Sequence, residues 1–143
     1  MAGVKIELPA SFSFSCDIPI RITDVNYGGH VGNDAILSII HEARMQFFKR
    51  YGYSEMNFDG AGLIMADVAI EFKKELFYGD TIFALVKADR FSRAGFDIFY
   101  KLETHHGDKE VLVAVARTGM ICYDYNKKKI IAVPEKAKEK LSV

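Results

Sequence analysis

The chain has 143 residues, half of them are hydrophobic, and 19 basic residues balance 19 acidic ones. This length and composition predict a single globular domain, residues 1–143, with a core of its own. The formal net charge of zero argues against nucleic acid and anionic membranes as partners, because both are bound mainly through an excess of Lys and Arg.

The cysteines and the first residues of the chain indicate its compartment. Cys16 and Cys122 lie in apolar, strand-like stretches, without a second Cys or a His at metal-ligand spacing. They predict free buried thiols and no zinc site. The opening residues lack the apolar core of a signal peptide, and no run reaches the ~20 apolar residues that cross a bilayer. We therefore expect a cytoplasmic protein that does not enter a membrane.

The first third of the chain predicts a strand, a loop and a helix. Apolar and polar residues alternate over 11–20, as they do in a half-buried strand. Residues 21–33 are dense in Asp, Asn and Gly, which is typical of a loop. Apolar residues then recur at three- and four-residue steps over about 34–51 and predict a long helix. Asn33 or Asp34 is suited to cap its first turn.

The remaining residues predict four strands and a tail. Alternation marks three strands, a longer apolar run marks the fourth, and turn signals separate them at 77–80, 92–95 and 104–108. Gly119, inside the fourth strand, predicts a bulge or the close approach of another backbone. Residues 134–141 are charged and predict a short surface helix.

This order of elements predicts the fold class. Short turns between consecutive strands imply antiparallel pairing, and the helix must bury its apolar face against the sheet. The expected architecture is a two-layer α+β domain. Five strands around one helix leave the sheet edges poorly covered, and pairing with a second copy would cover them.

The loop and the helix carry a distinctive set of residues. They are Arg21, Thr23, Asp24, Asn26, Gly29, His30, Val31 and Asn33, followed by Glu42, Ala43 and Arg44. With these residues, the strand, loop and helix resemble the 4-hydroxybenzoyl-CoA thioesterase family of hot-dog proteins. In that fold, a mostly antiparallel five-stranded sheet wraps a long central helix. The resemblance implies an acyl-CoA thioesterase that works as a homodimer or a tetramer, with coenzyme A as part of its substrate and with no metal or other cofactor.

One position departs from the pattern of the family. The family has two acids one residue apart, and the second is the catalytic carboxylate in its best-known branch, whereas this chain has Asp24 and then Asn26. Asparagine can be neither a general base nor a nucleophile. Three hypotheses follow: another carboxylate carries the chemistry, Asn26 orients water while a neighbour takes the proton, or the protein is not a hydrolase.

The glycine-rich loop is the predicted substrate site, because it leads straight into a helix N-terminus. Backbone N–H groups there stabilise the oxyanion that forms when a thioester is attacked. Gly28 and Gly29 would let an acyl chain lie against bare backbone, although the glycines could also serve the dihedral angles of the loop alone. The loop residues expected to bind substrate are Tyr27, Gly28, Gly29, Val31, Gly32 and Asn33.

Four residues are candidates for catalysis, each with a structural alternative. Asp24 is a general base or a brace for the loop, and Asn26 positions water or caps a turn. His30 is a base or a hydrogen-bonding brace. Glu42 lies opposite the apolar stripe of the helix, where it is a solvated residue or, by resemblance, a carboxylate of the site. Arg44 needs a partner near that stripe, for which Asp24 or a backbone carbonyl is the expectation.

Arg90 and Arg93 flank a predicted turn and are candidates to bind the phosphates of coenzyme A, which Arg holds in bidentate fashion.

Two other functions remain open on the same fold. A hydratase or dehydratase would need His30 to meet Asp24 or Glu42. A non-catalytic acyl-thioester-binding protein would follow if Asn26 ended the chemistry.

Overall fold

The computed structural model describes residues 3–143, in which an antiparallel sheet wraps a long helix. The sheet order is β1-β3-β4-β5-β2, and the short β6 pairs with β5. This arrangement confirms the predicted α+β hot-dog fold, with β6 as a sixth strand that the sequence pattern did not predict. The elements are β1 (Phe14–Pro19), a 3-10 turn (Ile22–Asp24), α1 (Asn33–Arg50), β2 (Gly62–Phe72), β3 (Thr81–Asp89), β4 (Gly95–His106), β5 (Lys109–Asp124), β6 (Lys129–Ile130) and α2 (Glu135–Leu141).

Helix α1 forms because its apolar residues make one continuous face. Ile36, Ile40, Ala43 and Phe47 are at most 4% exposed and belong to the core against the inner face of the sheet. The ring of Phe47 packs edge-on against Phe14 of β1, with ring centroids 5.8 Å apart. Eighteen residues give a helix about 27 Å long at 1.5 Å per residue, enough to run along the sheet.

The two edges of the sheet differ in what they expose. β1 is short, and its apolar side chains Phe14, Cys16 and Ile18 are buried or half-buried. β2 is the opposite edge, 11 residues long, and it leaves Ile64, Val68 and Phe72 between 37% and 49% exposed. A long edge strand with exposed apolar side chains invites pairing with another strand.

At Gly119, a neighbouring side chain and not another backbone occupies the space that a Cβ would take. It lies opposite Asp67 of β2, and a Cβ at this position would collide with the Asp67 carboxylate. Arg117 binds that carboxylate with N···O distances of 2.9 and 3.2 Å. No bulge lies at Gly119 itself: the irregularity opposite it is in β2, between Met65 and Asp67, and β5 bulges at Val113, because Leu102 pairs with Ala114 and Glu103 with Leu112.

The second half of the chain differs from the predicted pattern at its ends. The turn between β4 and β5 consists only of Gly107 and Asp108, since the pairing continues to His106 and Lys109. Helix α2 begins after Pro134 as predicted, but it is not a purely surface helix. Its apolar residues Ala137 and Leu141 are fully buried in the core.

Both cysteines are free, as predicted, although only Cys122 is buried and Cys16 is partly exposed.

Candidate active site

Residues 25–31 fold into a small hairpin between β1 and α1. The Asn26 N–H donates to the His30 carbonyl at 3.0 Å, and the Gly29 N–H donates to the Asn26 carbonyl at 3.0 Å. Gly29 has a φ of 87°, in the left-handed region that favours glycine, so the turn itself requires this residue. Tyr27 lies at the tip with its side chain fully exposed.

Asp24 holds both ends of the loop. Its Oδ2 accepts the Arg21 N–H at 2.8 Å, and its Oδ1 lies 3.5 Å from the Arg21 guanidinium. Its carbonyl oxygen accepts the Gly32 N–H at 3.3 Å. The side chain is 7% exposed. These bonds favour the bracing role over that of a free base.

The side chain of Asn26 is oriented by its own loop. Its Oδ1 accepts the Gly28 N–H at 2.9 Å, which is an Asx turn. The amide nitrogen is left free to donate, and it lies on the side of Gly32, 3.8 Å from the position that a Cβ on that glycine would take. The amide therefore offers hydrogen-bond donors at the start of α1.

The start of α1 is not capped as the sequence predicted. Gly32 is the N-cap, because its carbonyl accepts the N–H groups of Ala35 and Ile36. Asn33 and Asp34 therefore lie inside the first helical turn, and neither of them caps it. No side chain of the described residues hydrogen-bonds to the cap. Within residues 3–143, the N–H groups of Asn33 and Asp34 have no acceptor. Two free donors thus point out of the positive end of the helix.

Helix α1 separates three of the four predicted catalytic residues into two clefts, and Asn26 lines neither of them. Asp24 and Glu42 line a cleft of about 170 Å³ on the side of β1. His30 and Asn33 line one of about 210 Å³ on the side of β2. The other residues around the first are Asp17, Ile18, Pro19, Arg21, Ser38, Ile39 and Gln46, and those around the second are Val31, Ile36, Phe72, Lys73, Lys74, Glu75, Leu76 and Val113.

Glu42 is exposed, and its Oε2 accepts a hydrogen bond from Gln46 at 2.7 Å. Burial raises the pKa of Cys16 to about 11, with further contributions from the charges of Glu42 and Asp17. The β1-side cleft is therefore acidic, and the thiol beside it stays protonated at neutral pH. Glu42 lies on the expected side of the helix.

The half-buried ring of His30 makes one long contact, from Nδ1 to the Val31 carbonyl oxygen at 3.4 Å. The Val31 N–H donates to the Leu76 carbonyl at 2.8 Å, which ties the hairpin to the segment after β2. Lys73 and Lys74 border the same cleft, and sequence reasoning assigned them no role. Their signal was only their position directly after a strand whose side chains alternate.

The sequence led us to expect that Arg44 pairs with Asp24 or with a backbone carbonyl, and it pairs with neither. Its Nε lies 3.4 Å from Glu55 Oε1, and its Nη1 donates to the Tyr100 hydroxyl at 3.3 Å. The Tyr100 hydroxyl lies 2.7 Å from Thr118 Oγ1. The partners come from the loop after α1 and from the sheet, and nothing near Arg44 in sequence indicates them.

Arg90 and Arg93 lie at the far end of the sheet from the loop. Pro19 pairs with Thr81 at the start of β3, whereas both arginines follow its last residue, which is about 26 Å away at 3.3 Å per residue. The Arg90 guanidinium lies over the Phe99 ring, 5.6 Å from its centroid. Within one copy, neither arginine comes near the glycine loop.

Residues 3–143 contain neither a metal-binding cluster nor a membrane-spanning helix. No group of three or more His, Cys, Asp or Glu side chains in this part of the chain could hold a metal ion. No helix in the same range is long and apolar enough to cross a membrane.

A family model described as the thioesterase-like superfamily matches residues 20–141. The chain belongs to this superfamily. The match includes the loop, the whole lining of the β2-side cleft and all strands after β1. No protein with a curated description matches the sequence significantly.

Solved structures of the superfamily share the fold. A thioesterase-superfamily protein from Jannaschia sp. CCS1 is 16% identical, with a TM-score of 0.82 over 94% of this chain and 84% of that one. A 1,4-dihydroxy-2-naphthoyl-CoA thioesterase from Synechocystis is 20% identical, with a TM-score of 0.79 over 91% and 98%. A 4-hydroxybenzoyl-CoA thioesterase with an Asp-to-Asn substitution, complexed with 4-hydroxybenzoyl-CoA, is 18% identical, with a TM-score of 0.80 over 90% and 97%. At these identities the likeness shows the hot-dog fold.

Proposed function

We propose that this protein hydrolyses the thioester bond of an acyl-CoA by attack of water, at a site between two copies of the chain. The observation that carries the proposal is the uncapped start of α1, where the N–H groups of Asn33 and Asp34 have no acceptor in the described chain. Water attack turns the thioester carbonyl oxygen into an oxyanion, which two N–H donors and the helix dipole stabilise. Membership of the thioesterase-like superfamily supports the same chemistry.

The β2-side cleft supports this placement of the substrate. Its wall includes Ile36 and Phe72, against which an acyl group would be buried, and the free N–H groups lie at its edge. Lys73 and Lys74 border it and would attract the phosphates of coenzyme A. Arg90 and Arg93, the predicted phosphate contacts, lie too far from this cleft to reach a coenzyme A bound in the same copy. They would contact only the phosphates of a coenzyme A that is bound mainly by another copy.

The exposed edge of β2 supports a homodimer. Pairing of β2 with its copy would satisfy the free backbone groups of this edge and bury Ile64 and Val68. Phe72 at the end of β2 borders the cleft, so a partner at this edge would close it on the open side. A tetramer of two such dimers uses the same interface.

The chemistry also needs a proton acceptor and an oriented water. Asn26 supplies amide donors at the helix start and orients water in this proposal. Asp24 holds the loop, and His30 is a wall of the cleft. Glu42 lies in the other cleft, on the far side of α1.

One observation favours a second function, a protein that binds acyl thioesters without cleaving them. Asn26 stands where the resemblance places the catalytic acid, and an amide accepts no proton from water. The hydratase hypothesis has no such support, because His30 lies in a different cleft from Asp24 and Glu42.

The test is thiol release from short, long and aromatic acyl-CoAs, with variants at Asn33. Asn33→Pro removes one oxyanion donor, and the first helical position tolerates proline. Asn33→Ala keeps the N–H and is the matched control. We expect Asn33→Pro to lower kcat by about 10²–10³-fold relative to Asn33→Ala. Acyl-CoA binding without thiol release by the wild type would instead support the binding protein.

A further inference from the structure

The proposed hydrolysis needs a carboxylate near the start of α1, and Asn26 does not provide one. We propose that Asp34 does: its carboxylate accepts the proton of the attacking water, while the amide of Asn26 orients that water. This inference rests on the proposed hydrolysis and names the residue that makes it work. Asp34 belongs to the first turn of α1, and its side chain is exposed.

The backbone at Gly32 shows how the carboxylate is placed. Gly32 has φ −73° and ψ 156°, which any residue adopts, so its conformation does not require glycine. A Cβ at this position would lie 2.6 Å from Oδ1 of Asp34. The carboxylate thus folds back over the helix start into the space that a side chain at position 32 would fill.

The Asn26 amide lies on the same side of Gly32 as this carboxylate. Asn26 Nδ2 lies 3.8 Å from the same Cβ position, so the amide and the Asp34 carboxylate both reach the space over the Gly32 Cα. Since Asn26 Oδ1 is held by the Gly28 N–H, the amide presents donors there. A donor and an acceptor on the same side of one glycine suit a water molecule between them, which donates its proton to the carboxylate and accepts from the amide.

The two carboxylates that the sequence marked as catalytic candidates are less suited to this role. Both oxygens of Asp24 already face Arg21, one of them as acceptor of its backbone N–H. Glu42 follows Asp34 by eight residues, about 12 Å along the helix axis, and it accepts a bond from Gln46. Among residues 3–143, Asp34 makes no side-chain hydrogen bond or salt bridge that would have to break first.

The reaction balances with these groups alone. The water oxygen forms a bond to the thioester carbonyl carbon as its proton moves to the Asp34 carboxylate. The carbon–sulfur bond then breaks, and the departing thiolate takes that proton from the Asp34 carboxylic acid. The products are a carboxylic acid and free coenzyme A, and Asp34 returns to its starting state.

The test measures kcat and KM of the full-length protein with the best acyl-CoA of the panel. Asp34→Asn keeps the shape of the side chain and removes the base, and Asp108→Asn, in the exposed turn between β4 and β5, is the matched control. We expect Asp34→Asn to lower kcat by about 100-fold or more with KM within about threefold, and Asp108→Asn to change neither.

Two further variants separate catalysis from a structural role of Asp34 at the helix start. Gly32→Ala must displace the carboxylate but leaves the residue in place, so we expect a loss of kcat similar to that of Asp34→Asn. Adding Asn26→Asp to Asp34→Asn restores a carboxylate beside Gly32. We expect kcat to recover at least tenfold, which is one-tenth of the loss of about 100-fold caused by removing a base. The acid limb of the kcat–pH profile should vanish in Asp34→Asn.

The possible failures are distinguishable. If the wild type releases thiol and Asp34→Asn retains more than about a third of its kcat, Asp34 is not the base, although the proposed hydrolysis stands. The same holds if Asp34→Asn loses kcat but keeps the acid limb, because the loss is then structural. If the wild type cleaves no acyl-CoA, both proposals are wrong.

Discussion

Glu55 neutralises a guanidinium that is buried beneath α1, and its removal should cost more stability than removal of the guanidinium itself. The side chain of Arg44 is only 5% exposed, and Glu55 is its single carboxylate partner among the ion pairs of residues 3–143. Glu55→Gln keeps the shape and one carbonyl acceptor but leaves the positive charge buried without a counter-charge.

The two exposures set the magnitude. Breaking a buried ion pair from one side costs about 3–5 kcal/mol, because the remaining charge cannot return to water. Glu55 is 21% exposed, so water reaches the pair, and we expect Glu55→Gln to lower the free energy of unfolding by about 2–3 kcal/mol. Arg44→Met should cost only about 1 kcal/mol, because Glu55 keeps His41 at 2.9 Å and its contact with water.

The double variant tests the cause. When Arg44→Met has removed the guanidinium, Glu55→Gln no longer leaves a buried positive charge without a counter-charge. The double variant Arg44→Met with Glu55→Gln should therefore be more stable than Glu55→Gln alone. Thermal midpoints should follow, with a decrease of roughly 4–12 °C for Glu55→Gln in a chain of this size.

The measurement is urea unfolding at neutral pH and a fixed protein concentration, since self-association would add to the apparent stability. Far-ultraviolet circular dichroism is the suitable signal, because the chain has no tryptophan. The reasoning is refuted if Arg44→Met costs as much as Glu55→Gln, or if the double variant is no more stable than Glu55→Gln.

Three shorter predictions concern other parts of the molecule. Val68→Lys places a charge on the exposed edge of β2. It should convert the proposed dimer to monomer in light-scattering measurements and lower thiol release; an unchanged dimer mass would exclude this edge as the interface. Burial raises the pKa of Cys122 to about 11, as it does for the partly exposed Cys16, so both thiols stay protonated and should resist alkylation at pH 8 until the protein is unfolded. Rapid labelling of Cys122 in the native protein would contradict its burial, and rapid labelling of Cys16 would contradict its raised pKa. A hydrogen bond from Arg117 lowers the pKa of Asp67, so the pair stabilises the fold at pH values above the carboxyl pKa of the unfolded chain. This contribution, below about 1 kcal/mol for a side chain so exposed, is lost as the pH falls through the pKa of the folded protein. Asp67→Asn should therefore be less stable than wild type at neutral pH and equal to it in strong acid.

The long helix and most strands could be predicted because their signals are local. The apolar steps of α1 placed it at 34–51, and the structure has Asn33–Arg50. The one-residue shift at its start arises because the Gly32 carbonyl accepts the first helical bonds, which makes a glycine the cap instead of a better side-chain acceptor. The pattern missed β6, because its two residues pair only through contacts with β5.

The candidate site was predictable as a segment but not as an arrangement. Asp24, Asn26 and His30 lie within seven residues, so the sequence alone indicates that they share a loop. Which of them share a cleft depends on the path of α1 between them, and that path is fixed by its packing on the sheet. The position of Asp34 over Gly32 likewise has no signature in the spacing of residues.

The sequence by itself determined the fold class, the glycine-rich loop before the helix and the loss of the expected acid at position 26, because each of these depends on residues close together in the chain. Only the tertiary structure decided that Arg44 pairs with Glu55, that Arg90 lies at the far end of the sheet from the loop, and that helix α1 divides the candidate residues between two clefts. The physical reason is that a charge or a cleft depends on whichever residues packing brings together, and packing joins residues that are distant in sequence.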